Sequence, residues 1–459
     1  MKFRAIGYSL LLAGFGFVLP ALAADAPPGD VQLMHELAAD VSATNLRHDV
    51  QKLVDFGTRH TLSDTVSETR GIGAARRWIK SEFERISAEC GGCLQVVYVS
   101  DTVTGENRIP QPVEVVSVLA IQRGQLDADR YVLMAGDIDS RVTDAMNATA
   151  DSPGANDNAS GMAGVLEAAR VLSKHQFDGS IIYAGLSGEE QGLFGGKIVA
   201  AHALANHWRI KAVLNNDMIG NIAGIDGVID NAVARVFSEG TRDTETAEEA
   251  RTRRFTGGEV DSPSRNLARY IDERADRYIP NLDVMMVYRL DRFGRGGHHR
   301  PFNAVGIPGV RIMETHENYN RQHQDLRTEN GIKFGDVIEG INFDYARKLT
   351  ALNVVSLAEM ADAPPFPAQV KLKGAVQPST HISWEMATGD AAKNLAGYRV
   401  YWRFTDQPKW QFSRFVGKVD EYVLENIVID NYYFGVASVA KNGAQSPVVF
   451  PGAAGSFGE

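Results

Sequence analysis

Six acidic residues and one histidine stand out for where they fall. Asp137 and Asp139 directly follow an apolar run, Tyr131-Val132-Leu133-Met134-Ala135-Gly136. Asp157 lies in the loop Pro153-Gly154-Ala155-Asn156-Asp157-Asn158-Ala159-Ser160-Gly161, ahead of a helical pattern. Glu189 and Glu190 follow a second apolar run, Asp217 ends a third, and His323 lies beyond a fourth. Each has an ordinary reading alone: Asp157-Asn158 suits a turn or helix cap, and Glu189-Glu190 suits a helix start, where acids favour the dipole. Together they propose something else. Like charges gathered at one place repel, and a bound cation is the simplest compensation.

The elements that would gather these residues alternate. Runs at 131–136, 180–186, 212–217 and 309–313 read as buried strands. Residues 160–172 carry Met162, Val165, Leu166, Ala169 and Leu172 at helical spacing, and 191–204 is mostly helical. This order predicts an α/β fold: a mostly parallel central sheet with helices on both faces. Ligand sites in such sheets lie at the carboxyl ends of the strands, where the acidic residues fall.

Five ordered stretches carry a resemblance: Gly136-Asp137-Ile138-Asp139-Ser140, Pro153 to Gly161, Ser187-Gly188-Glu189-Glu190-Gln191-Gly192-Leu193, Asn216-Asp217-Met218-Ile219-Gly220, and Gln322-His323-Gln324-Asp325. Over roughly residues 45–360 the chain resembles the co-catalytic zinc exopeptidases of the bacterial leucyl aminopeptidase type. That superfamily also holds glutaminyl cyclases and transferrin-receptor-like ectodomains. The resemblance implies Asp157 as a carboxylate bridging two metals, with Glu190 and His323 completing one site and Asp217 serving the other. It implies Glu189 as the general base and Asp139 as the carboxylate orienting the first metal ligand. Where the family has histidine, this chain has Asp137. A site of Asp137, Asp157 and Asp217 would offer only hard oxygen donors and would suit Mn2+, Mg2+ or Ca2+ better than Zn2+. The loop Gly294 to Phe302 resembles a family loop near the site, and His298 matches its histidine, a candidate for binding substrate. One or two ions are therefore expected.

The ends of the chain differ from its body. Lys2 and Arg4, an apolar stretch from Ile6 to Leu19 and Ala21-Leu22-Ala23 read as a secretory signal (residues 1–23), with a membrane anchor as the alternative. No later run is long and apolar enough to span a bilayer, so an exported, periplasmic or extracellular protein is expected. Cys90 and Cys93, the only cysteines, suggest a small disulfide loop in an oxidising compartment; a redox-active pair is the alternative. So few cysteines exclude a disulfide scaffold or a Cys-based zinc ribbon. The 47 Lys plus Arg against 57 Asp plus Glu give a net charge of −10, and no basic block points to nucleic acid. The α/β domain is assigned to 24–361. Residues 362–368 form a proline-rich linker, and the short alternating strands of 369–459 predict a β-sandwich that resembles a fibronectin type III domain. Its expected role is to hold a surface, a polymer or the catalytic domain itself.

The functional expectation is a secreted metal-dependent exopeptidase, most simply an aminopeptidase acting on the N-terminus of a peptide or protein. Two others compete: a one-zinc glutaminyl cyclase-like acyltransferase, and a non-catalytic binding protein.

Overall fold

A computed structural model describes residues 26–458; the expected signal segment lies outside them. Three helices lead: α1 (Gln32–Asp40), α2 (Ala43–Val54) and α3 (Gly71–Glu89). Strands β1 (Leu94–Val103), β2 (Val113–Gln122) and β3 (Asp127–Asp137) follow, then α4 (Gly161–Leu172), β4 (Gly179–Leu186), α5 (Phe194–Ala205) and β5 (Arg209–Asn216). The next stretch holds β6 (Val233–Phe237), α6 (Ala247–Thr256), α7 (Pro263–Tyr278), β7 (Asp283–Val287), α8 (His299–Asn303) and β8 (Gly309–Glu314). A small hairpin, β9 (Arg327–Glu329) and β10 (Ile332–Phe334), precedes the long helix α9 (Phe343–Asp362).

Eight of these strands form one sheet, in the order β1-β2-β4-β3-β5-β8-β6-β7. Its centre, β4-β3-β5-β8, is parallel, as the alternating pattern predicts. The β1–β2 hairpin and the antiparallel β6–β8 pairing extend it on either side. β4 is buried along its whole length, because helices cover both of its faces. One layer is α4 and α9 with α1 to α3, packed around Met134, Met162, Leu166 and Leu352; the other includes α5, around Leu133, Ile182 and Val199. β3 and the start of α4 meet closely. A Cβ on Gly161 would lie 2.2 Å from the Asn216 carbonyl oxygen, so only glycine lets the Asp157 loop sit against β5.

Cys90 and Cys93 are joined as a disulfide just after α3. Beyond α9 the chain forms β11 (Ala368–Lys373), β12 (Thr380–Glu385), β13 (Leu395–Phe404), β14 (Phe412–Gly417), β15 (Glu421–Leu424) and β16 (Tyr432–Ala440). They make two three-stranded antiparallel sheets, β11-β12-β15 and β14-β13-β16, around a core that includes Trp384, Tyr398 and Phe434. This unit is fastened to the α/β body by buried charge. Arg403 makes two 2.8 Å hydrogen bonds to Asp261, which also holds Arg269 at 2.9 Å. Glu359 of α9 pairs with Arg274 and accepts the Gln445 amide at 3.1 Å.

Candidate metal centre

The strand ends deliver their residues to one place. β3 runs into Asp137 and Asp139, β4 into the turn 187–190, and β5 into Asp217. Buried Arg59 fixes the Asp157 loop by donating to the carbonyls of Ile138, Pro153 and Gly154 at 2.6–2.9 Å. Asp336 completes the support, accepting the Asn156 and Asp157 amides. Leu193, Met218 and His323 border the site in left-handed backbone conformations, with φ of 63°, 64° and 54°. Such strain in non-glycine residues concentrates where function over-determines the backbone.

Asp157, Glu190 and His323 converge. His323 Nε2 lies 2.9 Å from Asp157 Oδ2 and 2.9 Å from Glu190 Oε1. Among the described residues this is one of two groups whose ligand atoms could share a metal ion. The other, Asp272, Asp276 and Asp283, is reached by Lys409, which bonds Asp272 at 2.7 Å and Asp276 at 3.4 Å. Arg141 braces the first group. Its Nε donates to Glu190 Oε2 at 2.7 Å, and its Nη2 meets His323 Nδ1 at 2.6 Å. Burial opposes charge on His323, but Glu190 and Asp157 outweigh it and raise its pKa to about 9. Arg141 pulls the other way, since a guanidinium can only donate and needs a bare Nδ1. The neutral ring with its proton on Nε2 satisfies all three neighbours, while Arg141 supplies the positive charge. Two carboxylates and an imidazole are a donor set that fits a divalent ion with an open position. A metal on Nε2 would move the ring proton to Nδ1 and displace Arg141 from it.

Asp137 and Asp217 behave differently. Asp137 accepts from His298 Nδ1 at 2.5 Å and from Asn158 Nδ2 at 2.8 Å. Asp217 is paired with Arg311 at 2.8 Å. Arg311 is fully buried in β8 and also faces Asp291 at 3.4 Å. The oxygen-donor site expected from Asp137, Asp157 and Asp217 is thus not gathered around a common point: protein cations and donors take two of its carboxylates. Burial raises the pKa of Asp217 to about 8 even though Arg311 opposes it, and burial with the neighbouring Asp139 raises that of Asp137. His298 does not face substrate as expected. It is 0% exposed, and desolvation lowers its pKa to about 4.

Asp139 has no ligand histidine to orient. Instead its two oxygens accept the Glu189 and Glu190 amides at 3.1 and 3.0 Å, and Thr61 donates to it at 3.0 Å. One carboxylate therefore sets the turn that carries both glutamates. Glu189 lines a cavity of about 570 Å³ together with Asp157, Glu190, Asp217 and His323. Burial and the charges of Glu190 and Asp217 push its pKa well above the usual carboxylate range.

Sequence reading missed Arg311, Arg141 and Asn158. Arg311 left a signal: an arginine inside the buried run Gly309-Val310-Arg311-Ile312-Met313 requires a carboxylate opposite it.

A family model described as peptidase family M28 matches residues 117–335. A probable zinc metalloprotease of Leptosphaeria maculans is 41% identical over 439 residues, covering 95% of this chain and 99% of that protein. The chain belongs to peptidase family M28. Membership makes it a metallopeptidase. A second relative, a probable zinc metalloprotease of Pyrenophora tritici-repentis, is 41% identical over 93% of this chain and 87% of its own. Two solved structures share the fold. The LapA aminopeptidase of Legionella pneumophila aligns with a TM-score of 0.53 and 20% identity, over 74% of this chain and 77% of that one. An aminopeptidase from Aneurinibacillus sp. strain AM-1 aligns at 0.50 and 14%, over 72% and 97%.

Proposed function

We propose that this M28 chain is an exported exopeptidase that works with one zinc ion held by Asp157, Glu190 and His323. The convergence of those three ligand atoms, beside carboxylates already engaged by a His298 hydrogen bond and the Arg311 guanidinium, carries the reading. Zinc bound there would polarise the scissile carbonyl and acidify a nearby water. Glu189 acts as general base: it faces the same cavity, and its carboxylate makes no hydrogen bond or ion pair among the described residues, so it is free to take a proton from the attacking water and pass it to the leaving amine. Asp139 positions Glu189 through its backbone amide. The zinc-metalloprotease names of the relatives and the aminopeptidase fold support a peptide substrate entered from a chain end. Peptide hydrolysis by purified protein, its loss in Glu189→Gln, and one equivalent of zinc per chain test the proposal. Two equivalents would overturn the one-ion part.

A one-zinc centre also suits acyl transfer of the glutaminyl cyclase kind. Assay of N-terminal glutamine cyclisation against hydrolysis separates the two, and the unpartnered Glu189 favours hydrolysis. The same free carboxylate speaks against a purely binding role.

Export is supported by the signal-like N-terminus and the Cys90–Cys93 disulfide. No helix among the described residues is long and apolar enough to cross a membrane. The C-terminal unit is proposed to be fibronectin type III-like, on the strength of its paired antiparallel sheets and the Trp384–Tyr398 contact, with ring centroids 5.3 Å apart. Its partner is the catalytic body: no described residue of 366–458 lines the cavity, while the buried Arg403–Asp261 ion pair and the Gln445 amide bonded to Glu359 of α9 tie it to that body.

A further inference from the structure

The cavity that holds Glu189 is lined by more cations than anions. Its acids are Asp157, Glu190, Asp217 and Glu189. The first three are engaged by His323, Arg141 and Arg311, and Glu189 is the base. Asp217 Oδ1 has no partner but is buried, so beyond Glu189 no exposed acid is left to hold a substrate ammonium group. Its cations are Arg108, Arg141, Lys197, Arg292, Arg295 and Arg300. Arg141, Arg292 and Arg295 are spent on Glu190 and Glu317.

The remaining three are not spent. Among the described residues Arg108 donates only to the Glu190 carbonyl, at 2.5 Å, which puts its guanidinium beside a proposed metal ligand. Lys197, on the first turn of α5, has among those residues only the Phe194 ring beneath it, 4.4 Å from the centroid. Arg300 makes no hydrogen bond or ion pair among the described residues. It rises from α8, directly after the buried His298 and His299 that anchor its backbone. Three exposed cations around one small cavity repel one another. An anion entering between them relieves that repulsion and gains charge-assisted hydrogen bonds. A divalent ion in the Asp157 group makes the cavity still more positive.

We propose that the substrate presents a carboxylate to Arg108, Lys197 and Arg300, which set specificity for an anionic peptide. This rests on the peptidase reading and deepens it. The carboxylate has two sources, the free C-terminal carboxyl group or an acidic side chain, and peptide pairs separate them. The tripeptide Ala-Leu-Leu is compared with its C-terminal amide. Ala-Glu-Leu amide is compared with Ala-Gln-Leu amide. In at least one pair the anionic member is expected to have kcat/KM about tenfold or more above its neutral partner, as expected for a lost charged contact. That ratio should shrink as salt rises, because the three cations are exposed. In the zinc-loaded double variant Lys197→Gln/Arg300→Gln it should fall toward one. A ratio near one in both pairs for the unaltered protein overturns the proposal, as does a ratio that neither salt nor the variant changes. If the variant fails to fold, the salt dependence of the unaltered protein decides. Cleavage without anion preference sinks this proposal alone, whereas zinc-loaded protein that cleaves no peptide sinks the peptidase reading beneath it.

Discussion

At one end of the acidic cluster stand Asp157, Glu190 and His323; at the other stand Asp137 and Asp217. Both ends gather carboxylates on the side of the sheet where its parallel strands end, and those carboxylates are buried to a similar degree. They differ in what answers their charge. The first end converges on a point where a cation can sit. The second is answered from within the chain, by Arg311 from the neighbouring strand and by His298 from the loop that leads into α8. A buried carboxylate needs a positive or hydrogen-bonding partner, and which partner arrives first decides whether it becomes a ligand or a strut.

The contrast can be broken at several points. The largest effect is expected from His323→Ala, which removes the only nitrogen ligand: zinc content should fall to near zero and hydrolysis with it, as measured by metal analysis and assay. Zinc retained by this variant would move the metal elsewhere. Glu189→Gln should keep zinc and lower kcat by roughly 10²–10⁴-fold, the usual range for a general base. Arg311→Leu tests the other end. It strands Asp217 without its close guanidinium, while Asp291 keeps Arg292, and breaking a buried pair costs about 3–5 kcal/mol, read as a fall in the unfolding midpoint. Added Mn2+ is expected to restore part of that loss in the variant and to leave the parent unmoved, because only the variant exposes an oxygen-donor pole. Asp137→Ala should leave zinc content unchanged, unlike His323→Ala.

The smallest effect lies at the junction with the C-terminal sheets. Burial, reinforced by nearby Asp178, raises the pKa of Asp362 to about 6. The folded state therefore favours the protonated form. Its contribution is fully present below about pH 4, the unfolded value, and is lost as pH rises through 6. Asp362→Asn should flatten the decline of thermal stability across that interval by no more than about 1 kcal/mol, since the group is partly exposed.

Much of this was legible in the chain. The four central strands, α4, α9 and the strand-end acids follow from apolar runs and helical spacing, because burial on both faces leaves a strong pattern. The edge strands β1 and β7 were not read, since their half-exposed residues leave a weaker one, and their partners β2 and β6 were not read with them. Within the site, residue types marked the ligands, but the partners of Asp137 and Asp217 depended on register. Arg311 reaches Asp217 because β8 lies beside β5, a pairing of segments about a hundred residues apart that no local pattern encodes. Asp139 is similar: its amide donors appear only once the 187–190 turn folds over it.

The Arg311–Asp217 pair also bears on how the protein would meet scarcity. A guanidinium is made with the chain and cannot be stripped by a chelator, whereas an ion must be won from the surroundings. With one pole supplied in this way, reactivation of the metal-free protein needs a single capture event. Recovered activity should then follow a simple hyperbola in free zinc, with no sigmoidal lag, so that the protein responds in proportion to trace metal rather than waiting for a second ion.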